Sequence, residues 1–487
     1  MREFTMTARA TGLMSDSQQI GATRARMGTR ALVASVAVLV ACVLPAPPLL
    51  ANDGGTPIAG QVVLITRPGV TLDDVRAAHP NLSLTPLRAF TPARIHLLAV
   101  PLGQEAAYEI QLAADSARVR AAEQNKTVAS PEEGTTQSLF LRSSLGEYLS
   151  QPGYVEIDAA RAVAGRGEPS LVAVLDTGIA PHPVLAGRIS PGGYNFVTDT
   201  TTTDESGCGA GTPLVGHGTF IAGVIAGVDP DARLLPITVL GCGGVGNAFS
   251  VACGVYLAIE RGASVINMSF ATTISSNAVE RAVEDANAAG IVCVSSLSNL
   301  SRNTDLERVY PGEHDEVIGV GGLARASGGW ERAPFSDWER SSDVAAPAVG
   351  VVGTWFDGAQ FGYARASGNS YAAALVAGVA SMVRSKYGPR DVVWTEQRLC
   401  AASETVFIGA PFGIGCGHRD DGFASLINAR RAVCPGDYNA STQVDLFDYL
   451  DFVAAFNGEE ASADFDRSGS VDLFDYLDFA QAFAEGC

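Results

Sequence analysis

Leu171-Val-Ala-Val-Leu-Asp-Thr-Gly178 is an unbroken apolar run that ends in a carboxylate and a chain-turning Thr-Gly pair. A strand that is apolar on both faces has no solvent side, so it belongs in a sheet covered by helices above and below. The same pattern recurs at residues 234–240, 264–268, 291–295 and 317–320, with Ala- and Gly-rich helical stretches between the runs. This alternation predicts a three-layer α/β unit with a mainly parallel central sheet. Chemistry in such sheets gathers at the carboxyl ends of the strands, and Asp176 stands at one of them.

Two further segments fit that location. His217 lies in Gly216-His-Gly-Thr219, ahead of an apolar helix over residues 220–227. Ser370 follows Ser367-Gly-Asn369 and opens a second helix over residues 371–378. A serine hydroxyl becomes a nucleophile when an imidazole removes its proton, and the imidazole needs a carboxylate to fix its tautomer and stabilise its cation. A helix N-terminus under Ser370 adds N–H groups that favour an oxyanion. Taken singly, each residue also reads as a turn former or helix cap; taken in order, they supply every role of a catalytic triad.

With these segments the chain resembles the subtilisin-like serine peptidases, the subtilases, whose order is also Asp, His, Ser. The likeness runs over about residues 154–431 and includes Val265-Ile-Asn-Met-Ser269, Tyr310-Pro311, Val317-Ile-Gly-Val-Gly321 and Asp343-Val-Ala-Ala-Pro347. It implies a secreted endopeptidase working through an acyl-enzyme at Ser370, with protein or peptide substrates. It also implies an oxyanion donor: Gly290-Ile-Val-Cys-Val-Ser-Ser-Leu-Ser-Asn299 falls in the register that gives this role to Asn299. The chain departs from the family around the nucleophile, where it reads Gly368-Asn-Ser-Tyr-Ala-Ala-Ala-Leu375. Ser269, Phe270, Ala271 and Leu297 fall on the expected substrate cleft, where the added bulk predicts a preference for small or modest side chains. The competing reading is an inactive adhesion or scaffold protein on a protease fold.

The amino end carries Arg24, Arg26 and Arg30 and then an uncharged run to Pro45, the layout of a signal peptide over residues 1–51. The run is too short and too rich in Pro for a bilayer span, so no transmembrane segment is expected in the mature protein. Residues 52–135 alternate short strands and helices and then pass, over 125–137, into a polar linker. Their place before the peptidase unit, taken as 150–431, resembles an inhibitory propeptide.

The net charge of −19 argues against nucleic acid as a partner. Much of it sits at the carboxyl end, where residues 437–487 hold twelve Asp or Glu against one Arg, a net −11. Residues 437–452 and 464–479 repeat with eleven identities in sixteen. In the second copy Asp464, Asp466, Ser468, Asp472 and Asp475 fall at calcium-loop positions 1, 3, 5, 9 and 12, with Gly469 at the sharp turn. Asp437, Asn439, Ser441, Asp445 and Asp448 match them in the first copy, where Thr442 replaces the Gly. Asp at position 12 and the Gly486-Cys487 ending resemble GC-type dockerin-like modules. The resemblance makes residues 434–487 a small all-α calcium-binding unit with a surface docking partner, the second loop binding calcium better. It also gives the protein a secreted or cell-surface location.

Eight cysteines follow the leader, an even number that suits disulfides in an exported protein. Some subtilases bridge cysteines placed like Cys208 and Cys242. Cys400 and Cys416 are near neighbours, and Cys434 and Cys487 bracket the last module. Cys253 and Cys293 are either a further pair or buried thiols.

Overall fold

The computed structural model describes residues 55–132, 141–149, 156–163, 167–339, 341–409, 411–416, 422–439, 441, 443–465 and 470–486. The expected leader, Asp466, Ser468 and Cys487 lie outside the described residues.

The first module runs β1 (Pro57–Thr66), α1 (Leu72–Ala78), β2 (Thr85–Phe90), β3 (Ile95–Ala99), α2 (Glu105–Ala113) and β4 (Val119–Ala129). Its sheet is antiparallel in the order β2-β3-β1-β4. Successive residues of β1 point to opposite faces, and both faces are apolar because both are covered. Val62 and Leu64 pack with Val75, Tyr108 and Leu112 of the module's own helices. Val63 and Ile65 belong instead to the core of the peptidase unit. Sequence reasoning missed β2, whose Pro86 reads as a loop residue; an edge strand tolerates it. The polar stretch read as a linker from Asn125 is strand as far as Ala129, because β4 finds further partners in the next module.

The peptidase unit begins with β5 (Leu141–Ser143), α3 (Leu145–Leu149), α4 (Ile157–Val163), β6 (Leu171–Asp176), β7 (Tyr194–Asn195) and α5 (His217–Val228). It continues through β8 (Arg233–Thr238), β9 (Val245–Asn247), α6 (Ala248–Glu260), β10 (Val265–Met268), α7 (Asn277–Ala288) and β11 (Val292–Ser296). Then come β12 (Val317–Ala326), β13 (Gly329–Arg332), β14 (Val344–Pro347), β15 (Val351–Phe356), β16 (Phe361–Ala366) and α8 (Asn369–Tyr387). It closes with α9 (Val392–Ala402), β17 (Glu404–Phe407), β18 (Phe423–Leu426) and α10 (Ala429–Val433).

The central sheet has the order β17-β18-β14-β12-β11-β10-β6-β8-β7, and only β13 and β17 pair antiparallel. Val172 and Val174 of β6 face the layer of α5 and α8, whereas Ala173 and Leu175 face that of α6. β6 is thus apolar on both sides, and its one polar residue, Asp176, stands at its end.

In the last module, α11 (Leu446–Asn457) and α12 (Leu473–Glu485) carry the repeat. Phe452 and Phe479, equivalent in the two copies, stack with centroids 3.9 Å apart, and the hydroxyls of the equivalent Tyr449 and Tyr476 lie 2.7 Å apart.

Glu123 of β4 ties the first module to the second. It is fully buried, accepts from the N–H groups of Asn277 and Ala278 at 3.0 Å each, and so caps α7. Glu123→Ala is expected to cost about 2 kcal/mol through the lost charge-assisted bonds. Calorimetry of the full-length chain reads this as a lower unfolding midpoint.

Candidate active site

Asp176 ends β6 and His217 begins α5, so the two meet only if the first turn of α5 comes very close to the strand end. Gly218 permits this, since a Cβ there would lie 2.1 Å from the Gly178 carbonyl oxygen and 3.1 Å from Asp176 Oδ1. His217 Nδ1 is 2.8 Å from Asp176 Oδ1, which also accepts the Thr177 N–H at 2.7 Å. Asp176 and His217 are wholly buried.

Ser370 is the second residue of α8 and Asn299 follows β11. Their side chains converge on a group that sequence reasoning missed, the carboxylate of Glu132. Ser370 Oγ donates to Glu132 Oε2 at 2.7 Å, and Asn299 Nδ2 donates to Oε1 at 3.0 Å. His217 Nε2 lies 3.3 Å from Oε2, off the hydrogen-bond axis. Asn299 is held in turn, its Oδ1 accepting the Asn369 N–H at 2.9 Å. The structure therefore brings Asp176, His217, Ser370 and Asn299 into one site around a single carboxylate.

Glu132 arrives there as the continuation of β4. Residues 127–129 pair antiparallel with β9, and Ala271 N–H donates to the Ala129 carbonyl at 2.9 Å from the other side. Ser130 N–H then donates to Gly244 O at 2.8 Å. The segment is a middle strand between two peptidase edges, as an extended peptide in a cleft would be. Gly368 makes room for its end, since a Cβ there would fall 2.1 Å from Glu132 Oε1.

Charge follows from this packing. Burial pushes His217 down, but the charge and hydrogen bond of Asp176, joined by Glu132, outweigh it and raise its pKa to about 10. Burial pushes Glu132 up, but His217 and the hydroxyls of Ser370 and Ser130 together hold it below the ordinary value. With Glu132 in place the imidazole is a cation at neutral pH and has no lone pair to accept a proton.

Of the residues assigned to the cleft, Ala271 contacts the bound strand, and Ser269 Oγ donates to the Ser370 carbonyl at 3.1 Å. Phe270 and Leu297 are buried with the strand in place, and Phe270 belongs to the apolar core beneath α6. The departure at Tyr371 is a packing residue, its ring 4.6 Å from that of Phe220 and 5.8 Å from that of His217. Cys208 is bonded to Cys242 and Cys400 to Cys416, Cys434 is also disulfide-bonded, and Cys253 and Cys293 are buried thiols.

In the first carboxyl-terminal loop Asp448 is fully buried and closes the loop, its Oδ1 accepting the Asn439 N–H and its Oδ2 the Asp445 N–H, each at 2.9 Å. Asp437 Oδ1 accepts the Ser441 N–H at 2.9 Å. Asp445 and Asp472 instead cap α11 and α12, while Asp475 is buried like Asp448. Among the described residues no three His, Cys, Asp or Glu side chains are grouped to hold a metal ion. The remaining loop donors are hydroxyl, amide and carbonyl oxygens, a hard all-oxygen set of the kind that suits calcium.

Fold and relatives together define a serine peptidase built on a parallel sheet. A family model described as the subtilase family matches residues 167–405. The chain is 35% identical over 269 residues to the thermostable alkaline protease of Halalkalibacterium halodurans, covering 53% of this chain and 68% of that protein. It is 32% identical over 274 residues to subtilisin DY of Bacillus licheniformis, covering 54% of this chain and 93% of that protein. Fervidolysin from Fervidobacterium pennivorans shares the fold with a TM-score of 0.60 at 19% identity, over 80% of this chain and 64% of that one. The chain belongs to the subtilase family and is a serine endopeptidase.

The raised pKa of His217 yields a signed prediction. In full-length Ser370→Ala protein the imidazolium contributes stability that is complete below the ordinary His value and lost as pH rises through about 10. Adding Glu132→Gln removes one of the two anions, so the His217 titration followed by NMR is expected to move to lower pH. An unmoved titration contradicts the contact.

Proposed function

We propose that the protein is a secreted subtilisin-like endopeptidase made as a zymogen, with Asp176, His217 and Ser370 as triad and Asn299 as oxyanion donor. The observation that carries this is the convergence of Ser370, His217 and Asn299 on one carboxylate while Asp176 holds the far side of the imidazole. Glu132 occupies the position of a reacting carboxyl group. Once it leaves, the proton of Ser370 Oγ passes to His217 Nε2 as Oγ bonds to the scissile carbonyl carbon. The oxyanion takes hydrogen bonds from Asn299 Nδ2 and the Ser370 N–H. His217 then gives its proton to the leaving amine, the C–N bond breaks, and water hydrolyses the acyl-enzyme by the reverse sequence.

Residues 52–135 act as the inhibitory propeptide, supported by the strand it lends to the cleft and by the Glu123 cap. Residues 434–487 act as a calcium-binding docking module. Support for docking comes from matching exposed apolar residues on the two repeat helices: Leu446, Phe447 and Leu450 are 64%, 66% and 50% exposed, and Leu473, Phe474 and Leu477 are 63%, 65% and 51% exposed. Two equal patches of this kind suit a protein partner at the cell surface. Calcium in either loop would hold the helix pair together. Among the described residues no helix is long and apolar enough to cross a membrane.

A fluorophosphonate probe is expected to label the processed protein at Ser370 and to leave Ser370→Ala unlabelled, with turnover of casein by the former only. Absence of labelling in folded, processed protein contradicts the catalytic reading. Asn299→Ala is expected to lower kcat by about 10²–10³-fold, the loss established for the corresponding donor in subtilisin. Chelation with EGTA is expected to lower the unfolding midpoint of the carboxyl-terminal module, and Asp475→Ala to weaken calcium binding more than Asp448→Ala, as isothermal titration calorimetry would read.

A further inference from the structure

Glu205 lies in the turn between β7 and α5 and is fully buried one residue layer behind the triad. The disulfide from Cys208 to Cys242 anchors the turn, and Cys208 N–H donates to the Glu205 carbonyl at 2.9 Å. Among the described residues no Lys or Arg pairs with its carboxylate; the titratable groups that face it are Asp176 of β6 and His217 of α5. Neutral donors hold it instead. Oε1 meets the Thr177 hydroxyl and accepts the Gly216 N–H at 3.1 Å; Oε2 meets the Thr219 hydroxyl and accepts the Thr219 N–H at 3.3 Å.

We propose that Glu205 is a positioning residue which, through the Thr177 hydroxyl, sets the hydrogen bonding of Asp176 Oδ1 and thereby the proton affinity of His217. The inference rests on His217 being the base of the proposed mechanism. It follows from counting protons. Thr177 Oγ1 accepts the Gly218 N–H at 3.0 Å and has one proton to give, with two acceptors in reach: Glu205 Oε1 and, at 3.2 Å, Asp176 Oδ1. Ionised Glu205 takes that proton. A protonated Glu205 donates from Oε1 to Thr177 Oγ1, and the Thr177 proton turns to Asp176 Oδ1.

The alternative, a proton on Oε2, would leave the Thr219 proton without an acceptor, because among the described residues that hydroxyl donates to Glu205 Oε2 alone while its oxygen accepts the Ala180 N–H at 2.8 Å. Protonation of Glu205 therefore gives Asp176 Oδ1 a third donor beside Thr177 N–H and His217 Nδ1–H. It also removes a negative charge from behind the imidazole. Both changes make His217 less basic, and ionisation of Glu205 makes it more basic. Burial, set against the Thr177 and Thr219 hydroxyls, raises the Glu205 pKa to about 7 in the chain with Glu132 in place. In the unprocessed chain Glu132 faces His217 from the other side, so the relay is read only after processing.

The test compares processed wild type, Glu205→Gln, Thr177→Val and Thr177→Ser, measuring kcat/KM for a peptide substrate and the rate of fluorophosphonate labelling from pH 5 to 10. With its Nε2 toward Thr177, the amide of Glu205→Gln donates to Thr177 and gives up the bond from the Gly216 N–H, so its acid-limb midpoint is expected to fall by about half a unit to one unit with KM unchanged. Thr177→Ser is expected to keep the wild-type profile. Thr177→Val breaks the relay, so adding Glu205→Gln to it is expected to move the midpoint by less than it does in wild type. A Glu205→Gln profile that keeps the wild-type midpoint and loses only amplitude overturns the proposal, as does a Thr177→Ser profile that follows Thr177→Val. If Glu205→Gln does not fold, the Val and Ser pair at Thr177 decides alone. Failure of wild type to label at any pH overturns the triad reading instead, so the two failures are distinguishable.

Discussion

The 2.8 Å hydrogen bond between His217 Nδ1 and Asp176 Oδ1, sealed from water, is the constraint on which the rest of the site depends. It requires the first turn of α5 to press against the end of β6, and that contact leaves no volume for a side chain at Gly218. It also buries a carboxylate and an imidazole together, so the surroundings must supply hydrogen bonds that water no longer gives. Thr177 supplies part of that set directly, through its N–H and hydroxyl, and Glu205 and Thr219 hold Thr177 and the first turn of α5 in place. The elements around the sheet end are thereby fixed by polar accounting as much as by apolar packing.

The same burial makes the site easy to silence. A second carboxylate placed on the open side of His217 converts the imidazole to a stable cation and draws the Ser370 hydroxyl to itself. Glu132 does both while β4 fills the cleft. In the proposed zymogen, blocking needs no distortion of the site, only an anion delivered by a strand whose main-chain bonds to β9 and Ala271 hold it in register. Removing the strand removes the anion, and the charge state of His217 changes with it.

The amino-acid sequence made the scaffold and the convergence of Asp176, His217 and Ser370 readable because both rest on local signals. Apolar runs gave the buried strands, and Asp176, His217 and Ser370 each sit at a strand end or helix start where a parallel sheet collects chemistry. Asn299 was legible only through family register, since an Asn after a strand has no signature of its own. Glu132 and Glu205 were not legible. Each stands in a polar stretch that reads as loop, and the contact of Glu132 with Ser370 spans 238 residues, beyond any periodicity. The extension of β4 to Ala129 was hidden for the same reason, because its partners lie in another module.

The proposed chemistry requires Ser370 and His217 to act as one unit. Its most direct test is a double-mutant cycle on kcat, using Ser370→Ala, His217→Ala and the pair, each released through the same engineered cleavage site in residues 133–140. Residues that share one proton transfer lose their effect together, so the pair is predicted to retain the same residual rate as either single variant. A pair whose loss is the product of the two single losses would contradict the account.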